Sequence, residues 1–405
     1  MACTLSPYRL TRGQLLRDLH QAYLDARRHK RGRSYQQRFE RRLEQNLSAL
    51  CDELWSRTYR PRPSACFIIT DPKRREVFAA DFRDRIVHHL YYNYVHEMLE
   101  RTFVHDSYSC IRRRGTHYGI DRLEHHILQE SQDYREECYV MKLDVRGYFM
   151  HIDRRRLLEI CLAQLERMRH HRVAKDSPRE WQECVDMDFV GYLTREIVLL
   201  NPVENCVRHG SPSDWEGLPT SKSLFCSPEG CGLPIGNLTS QLFSNVYLNE
   251  FDQYMKRVLH CRHYGRYVDD AYVVSCDREW LKSLVPQVRA YLSERLGLQL
   301  HEGKLRIVDV RQGVEFLGAY LRPGRRYVSN TTLRRMKGKL PRLESVAPQR
   351  LCASLNSYLG VLSHYASYNL RRDLFLRSPL TAFAHRYGSY APDLRSFAGE
   401  ASEGS

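Results

Sequence analysis

Two adjacent acids, Asp269 and Asp270, sit in the stretch RYVDDAYVV (266–274), between apolar runs that alternate with the period of strands. Like charges about 4 Å apart repel by roughly 4 kcal/mol at a near-surface dielectric, so a positive partner is expected beside them. A third acid, Asp144, lies in CYVMKLDV (138–145). There a period of two puts Tyr139, Met141, Leu143 and Val145 on one face and Lys142 and Asp144 on the other. If the two strand units are neighbours in one sheet, the three carboxylates converge on a site suited to hard divalent cations, which prefer oxygen ligands and keep several waters. Two such ions about 4 Å apart lower the pKa of an attacking hydroxyl and stabilise the leaving oxygen of an in-line phosphoryl displacement. Taken alone, the tetrapeptide YVDD (267–270) reads equally well as a solvated Asp-Asp turn.

The elements that must position these acids are legible along the chain. Leu16, Leu19, Tyr23 and Ala26 fall on one helical face, and Phe39, Leu43, Leu47, Leu50 and Leu54 on another, which predicts two amphipathic helices. The stretch CFIITDPKRREVFAA (66–80) reads as a hairpin with cations near its tip. Residues 166–230 are less regular, with turn signals in HGSPSDWEGLP (209–219). After GLPIG (232–236), Leu242, Val246, Leu248 and Phe251 predict a helix entered through a glycine turn. A hairpin over 264–275, a helix near 279–296 and two short strands near 305–321 are expected next. Residues 331–377 read as basic and helical, and 399–405 as a disordered tail.

The 405 residues allow two to three structural units, and 63 Lys and Arg against 48 Asp and Glu leave a net charge of +15. Such an excess favours a polyanionic partner, because each neutralised phosphate releases condensed counterions. Charge alone does not separate RNA, DNA and an acidic membrane. No apolar run approaches bilayer length and the N-terminus lacks a secretory pattern, so a cytoplasmic protein with no membrane partner is expected. Thirteen irregularly spaced cysteines argue against a disulfide framework, and Cys226 with Cys231 would supply only half of a zinc site. His88, His89, His170 and His171 show no metal spacing and read as core or RNA-facing residues. The run 27–33, RRHKRGR, is either a solvated segment or a nucleic-acid contact.

Six stretches stand in one order: DPKRREVFAADFRDRIVHH (71–89), KLDVRGYFMHID (142–153), GLPIGNLTSQLFSN (232–245), YVDD (267–270), LHEGKLRIV (300–308) and VEFLGAYL (314–321). Together they resemble the fingers-and-palm motifs of reverse transcriptases, and SYLGVLSHY (357–365) is similar to their helical thumb. Six motifs in order are far more specific than one. IGNLTSQ (235–241) departs from the usual pattern, which has glutamine before the glycine and proline after the serine. With FAADFRDRIVHH and LPTSKSLF (218–225), it looks like the reverse transcriptases of diversity-generating retroelements, a bacterial, archaeal or phage-encoded class.

That resemblance implies an α+β right-hand polymerase. Its parts would be a basic helical extension (1–65), fingers (66–135), a palm (136–325) carrying the insertion 166–230, a helical thumb (326–392) and a disordered tail (393–405). It implies an RNA-directed DNA polymerase that copies a template-repeat RNA into cDNA with errors at adenines, using dNTPs and a small basic accessory protein. A retron-type or group II intron-like enzyme, and a catalytically idle RNA-binding subunit, are the competing readings. The cofactor would be two Mg²⁺ ions, with Mn²⁺ as a substitute. Asp144 and Asp269 would bind both, helped by the Val145 carbonyl, with Asp270 alongside. Lys73 and Arg75 match the positions that clamp the triphosphate. Lys304 matches the lysine that protonates pyrophosphate, although Leu305 follows where the family often has threonine, which leaves an ordinary surface lysine open. Phe149 matches the bulky residue under the sugar, or is core, and Ile235 replaces an amide that checks pairing geometry. Gly236 and Gln241 complete the expected nucleotide contacts. Nucleic-acid contacts are expected at Arg27, Arg28, Lys30, Arg31, Arg33, Arg112, Arg113, Arg114, Phe316, Leu317 and Gly318.

Overall fold

The structure, a computed structural model, describes residues 8–28, 32–71, 73–339 and 348–376. It is α+β, and its described residues divide into two units: 1–115, 142–273 and 282–305 form the first, and 116–141, 274–281 and 306–405 the second. Lys30, Arg31, Pro72 and the tail expected at 393–405 lie outside the described residues.

In the first unit, Thr11 caps the helix Arg12–Arg27 by accepting a hydrogen bond from the Gln14 amide at 3.2 Å. Leu15, Leu19, Ala22, Tyr23 and Ala26 are its buried face, so the core stripe includes Leu15 rather than the expected Leu16. The second predicted helix is two, Ser34–Glu40 and Leu43–Trp55. The break falls at Arg42, whose backbone (φ −133°, ψ 46°) leaves the helical region. Strand β1 (Ser64–Ile69) pairs antiparallel with β2 (Arg75–Ala79), placing Lys73 and Arg74 in the connection as expected. The helix Phe82–Glu100 follows, capped by Asp81, which accepts from the Arg83 amide at 3.0 Å.

β3 (Tyr139–Asp144) ends on the first of the three acids. Its outward face is less polar than the pattern predicts: Val140 is fully buried and Tyr139 is half-exposed, because packing covers both faces along part of the strand. The segment 166–230 is more regular than expected. It contains the helix Met187–Val198, capped by Asp186, and β4 (Cys206–Arg208), which pairs parallel with β1 to give the order β2-β1-β4. The helix Leu238–Gln253 is buried on nearly every side, including Leu242, Val246, Leu248 and Phe251. β5 (His263–Tyr267) and β6 (Asp270–Ser275) then form the predicted hairpin, and the order β5-β6-β3 brings β6 beside β3.

In the second unit the expected pair of strands is four. β7 (Arg306–Asp309) lies beside β3, and β8 (Val314–Phe316), β9 (Ala319–Arg322) and β10 (Arg325–Val328) form an antiparallel sheet. Leu317 and Gly318, both at positive φ (49° and 86°), make the tight β8-β9 turn. The helix Thr116–Glu130 buries Ile120, Leu123 and Ile127, and Arg326 pairs with both Asp121 and Glu124 on it. The helices Asn330–Lys339, Pro348–Leu362 and Tyr368–Leu376 follow. No helix among the described residues is long and apolar enough to cross a membrane.

Candidate active site

Asp144 at the end of β3 and Asp270 at the start of β6 occupy neighbouring strand ends, with Asp269 in the turn before β6. The three carboxylates act on one another. Burial pushes the Asp269 carboxyl above its ordinary value and Asp144 pushes it further, against its own backbone amide, Lys304 and Arg75. Asp270 is pushed up to about 6, first by burial and then by Asp144 and Asp269, against Lys142 and Lys304. The positive charges that the acids call for are therefore Lys304, Arg75 and Lys142. Lys304 is nearest to Asp144, its Nζ donating to Oδ2 at 2.6 Å. The Lys304 side chain is 56% exposed and that of Asp144 14%, so the lysine approaches a largely buried carboxylate from the solvent side.

The backbone around Asp144 is held from the far side. His301 N–H donates to the Asp144 carbonyl at 2.7 Å and Arg146 N–H to the Gln299 carbonyl at 2.8 Å. Neither bond uses the carbonyl of Val145, the residue between them. Val268, in the turn before Asp269, has φ 55°, a left-handed conformation that costs a β-branched residue about 1–3 kcal/mol. Its carbonyl accepts from Nη1 of the buried Arg266 at 2.7 Å.

The donor set fits Mg²⁺. Among the described residues no three His, Cys, Asp or Glu side chains are grouped closely enough to hold a metal by themselves. Mg²⁺ does not need such a cage, since it usually takes one or two carboxylates and completes its shell with water and substrate phosphates. Carboxylates at neighbouring strand ends, one of them paired with a lysine that comes from the solvent side, offer that partial set.

A second group of predicted residues meets on one apolar cluster. Phe149 and Ile235 both pack, half-buried, against Cys66, Phe78, Met150 and Leu224. The Leu233 amide donates to the Phe149 carbonyl at 2.8 Å, and the Phe78 amide to the Ile235 carbonyl at 2.8 Å. Gly236 (φ 129°) has to be glycine, because a Cβ would stand 2.8 Å from the Phe78 carbonyl oxygen. Asn237, at the N-cap of the following helix, accepts instead from the Ala80 amide at 3.2 Å, tying the loop to the end of β2. Gln241, Lys73 and Arg75 are exposed.

The remaining predicted contacts are scattered. Arg27 pairs with Glu40 and lies over the Tyr23 ring, and Arg28 pairs with Asp25. Arg33, Arg112 and Arg113 are exposed, whereas Arg114 donates to the His105 and Ser107 carbonyls. Phe316 is a correction: at 1% exposure its ring is core of the second unit, and only the Leu317–Gly318 turn is accessible there. His88 is buried with Nδ1 2.8 Å from Thr239 Oγ1, and burial lowers its pKa to about 4, which makes it a neutral core residue at pH 7.

Two features escaped sequence reasoning. Glu76 is buried and accepts from Trp215 Nε1 at 2.8 Å, Ser223 Oγ at 3.0 Å and the Leu224 amide at 2.7 Å, which fastens the segment 215–224 to β2. Arg266 and Asp252 form a fully buried ion pair under the Val268 turn. An arginine between Gly265 and Tyr267 within the strand His263–Tyr267 was the available signal for the second, and the first left none.

Residues 203–321 match the family model described as Reverse transcriptase (RNA-dependent DNA polymerase). This part of the chain, somewhat under a third of its length, is similar to reverse transcriptase domains. The match contains Ile235, Asp269, Asp270 and Lys304, while Asp144, Phe149 and Arg75 precede it. No curated protein matches the chain. Among solved structures, the telomerase of Candida albicans in complex with a TWJ fragment of telomeric RNA is similar at 9% identity and a TM-score of 0.47, over 84% of this chain and 58% of that one. Apo telomerase from Candida tropicalis is similar at 10% identity and a TM-score of 0.47, over 84% and 62%. A form of it truncated from the C-terminal domain gives 11% and 0.45, over 65% and 55%. The chain thus spans 55–62% of the length of these telomerase chains.

Proposed function

We propose that this chain is an RNA-directed DNA polymerase of a diversity-generating retroelement, copying a template-repeat RNA into cDNA with errors at template adenines. The observation that carries the polymerase part is the placing of Asp144 at the end of β3 beside the turn and strand β6 that hold Asp269 and Asp270, with Lys304 Nζ 2.6 Å from Asp144 Oδ2, within one unit that includes most of the reverse transcriptase match. The fingers, palm and thumb follow the boundaries given above, and the small basic accessory protein belongs to the same proposal.

In the reaction a primer 3′-hydroxyl gives up its proton to water and its oxygen attacks the α-phosphorus of a dNTP. A new P–O bond forms, the bond from that phosphorus to the bridging oxygen breaks, and pyrophosphate leaves. Asp144 and Asp269 would hold Mg²⁺, with the Val145 carbonyl and Asp270 beside them. Bound there, the ions supply a lowered hydroxyl pKa and stabilisation of the leaving oxygen. The chain's own part is positioning and charge. Arg75 and Lys73 meet the triphosphate, Lys304 leaves Asp144 and gives its proton to the pyrophosphate, and the Phe149 ring occupies the space a 2′-hydroxyl would need.

The retroelement class rests on IGNLTSQ and on where Ile235 sits. An apolar side chain packed on the Cys66–Phe78 cluster makes no polar contact that rewards only a correctly paired nucleotide, and specificity is a difference in transition-state binding. Primer extension by the purified chain on an RNA template with dNTPs and Mg²⁺ tests both levels. Ile235→Gln is expected to lower misincorporation opposite adenine severalfold; an unchanged error spectrum would count against this account of fidelity, and a chain with no extension at all would remove the polymerase reading. RNA affinity should fall along a straight line of log K against log salt, in keeping with the net charge of +15. A flat salt response would assign the basic surface to another use.

A further inference from the structure

The buried pair beneath the Val268 turn has a role that rests on, and deepens, the polymerase reading. Arg266 and Asp252 have side chains only 1% and 0% exposed. Arg266 Nε and Nη2 donate to the two Asp252 oxygens at 2.7 and 2.6 Å, and Tyr264 donates its hydroxyl to Asp252 Oδ1 at 2.6 Å. Nη1 donates to the Val268 carbonyl at 2.7 Å, with longer contacts from Nη1 to Asn245 Oδ1 and from Nη2 to Ser107 Oγ at 3.4 Å. Asp252 and Asn245 both belong to the helix Leu238–Gln253, which is buried almost all round and is therefore a rigid base.

A buried ion pair is poor evidence for stability, since apolar residues of similar volume usually serve as well or better. What an apolar pair could not provide is the bond to the Val268 carbonyl. Val268 needs it, because a β-branched residue at φ 55° returns to the ordinary region unless its surroundings hold it. The next residue is Asp269. We propose that Arg266, anchored on Asp252, is a positioning residue that holds Val268 left-handed and so sets the direction from which Asp269 faces Asp144.

The test uses the full chain carrying Arg266→Met with Asp252→Leu, followed by primer extension, thermal melting and amide hydrogen exchange over residues 267–270. The double variant is expected to melt at or above the wild-type temperature. Its kcat should nevertheless fall about 100-fold, the scale of a misplaced reacting group, and the turn should exchange faster. Adding Val268→Gly, which occupies positive φ as readily as negative, should recover about tenfold of that loss. A merely structural pair would make activity follow melting temperature and would gain nothing from the glycine. Wild-type kcat in the folded double variant, or no recovery with Val268→Gly, overturns the proposal. If the double variant does not fold, Arg266→Lys is read by the same criteria, since it keeps the charge but cannot span both Asp252 oxygens and the Val268 carbonyl. Should the wild-type chain extend no primer, the polymerase reading falls by itself. Exchange over 267–270 then decides the positioning claim: faster in the variant supports it, unchanged overturns it.

Discussion

Replacing Asp269 and Asp270 together by Asn is expected to lower Mg²⁺-dependent primer extension by about three orders of magnitude or more, while RNA binding persists and the protein melts at a higher temperature at neutral pH. The loss follows because the metal-directed charge is worth several kcal/mol in the transition state, and each ~1.4 kcal/mol is tenfold in rate. The stability gain follows from linkage. Asp270, ordinarily near 3.8, is held up to about 6 in the folded chain, so the native state takes up its proton more readily than the unfolded one. Stability from this group is therefore fully present below about 3.8 and is lost as pH rises through about 6. At pH 7 the ionised carboxylate is a cost that Asn does not carry, and the advantage of the variant should vanish as pH falls below that window. The same titration predicts that wild-type activity without excess metal declines as pH drops through about 6. Full activity in the double variant would remove the proposed site; lost activity with no gain in melting temperature would mean that Lys142 and Lys304 already neutralise the pair.

Phe149→Ala should raise the preference for ribonucleotides over deoxynucleotides by roughly 10- to 100-fold in kcat/KM, the range over which a pocket sorts substrates differing by one small group. The ring is half-buried on the Cys66–Phe78 cluster and its backbone carbonyl is fixed by the Leu233 amide, so its place is set by packing rather than by a flexible loop. Truncation opens space without moving the carboxylates, which are held through β3 and the Val268 turn. Deoxynucleotide incorporation should accordingly survive, at some loss of melting temperature from the packing given up. A variant as selective as the wild type would return Phe149 to an ordinary core role.

The stretches read as strands and helices by periodicity largely form as such: the 66–80 hairpin, the helix after GLPIG, and the hairpin carrying the acids all stand where the pattern put them. The errors share a cause. Leu15 replaces Leu16 in the core, and Val140 is buried on the face meant for solvent, because periodicity reports one element's own faces and not what packs against them. Strand β4 was missed because three residues carry no period, and its pairing with β1 spans some 140 positions. Phe316 was assigned to a surface by its motif and is buried by its sheet.

By itself the sequence determined which side chains stand at the ends of β3 and β6, and that two acids in one turn would require positive charge nearby. Only tertiary structure decided which charges those are. Lys304 reaches Asp144 across 160 positions, and Arg266, three residues before the first of the paired acids, turns inward to Asp252 and donates to the Val268 carbonyl instead. The physical reason is that a charge acts through distance and burial, and both are fixed by contacts between residues far apart along the chain.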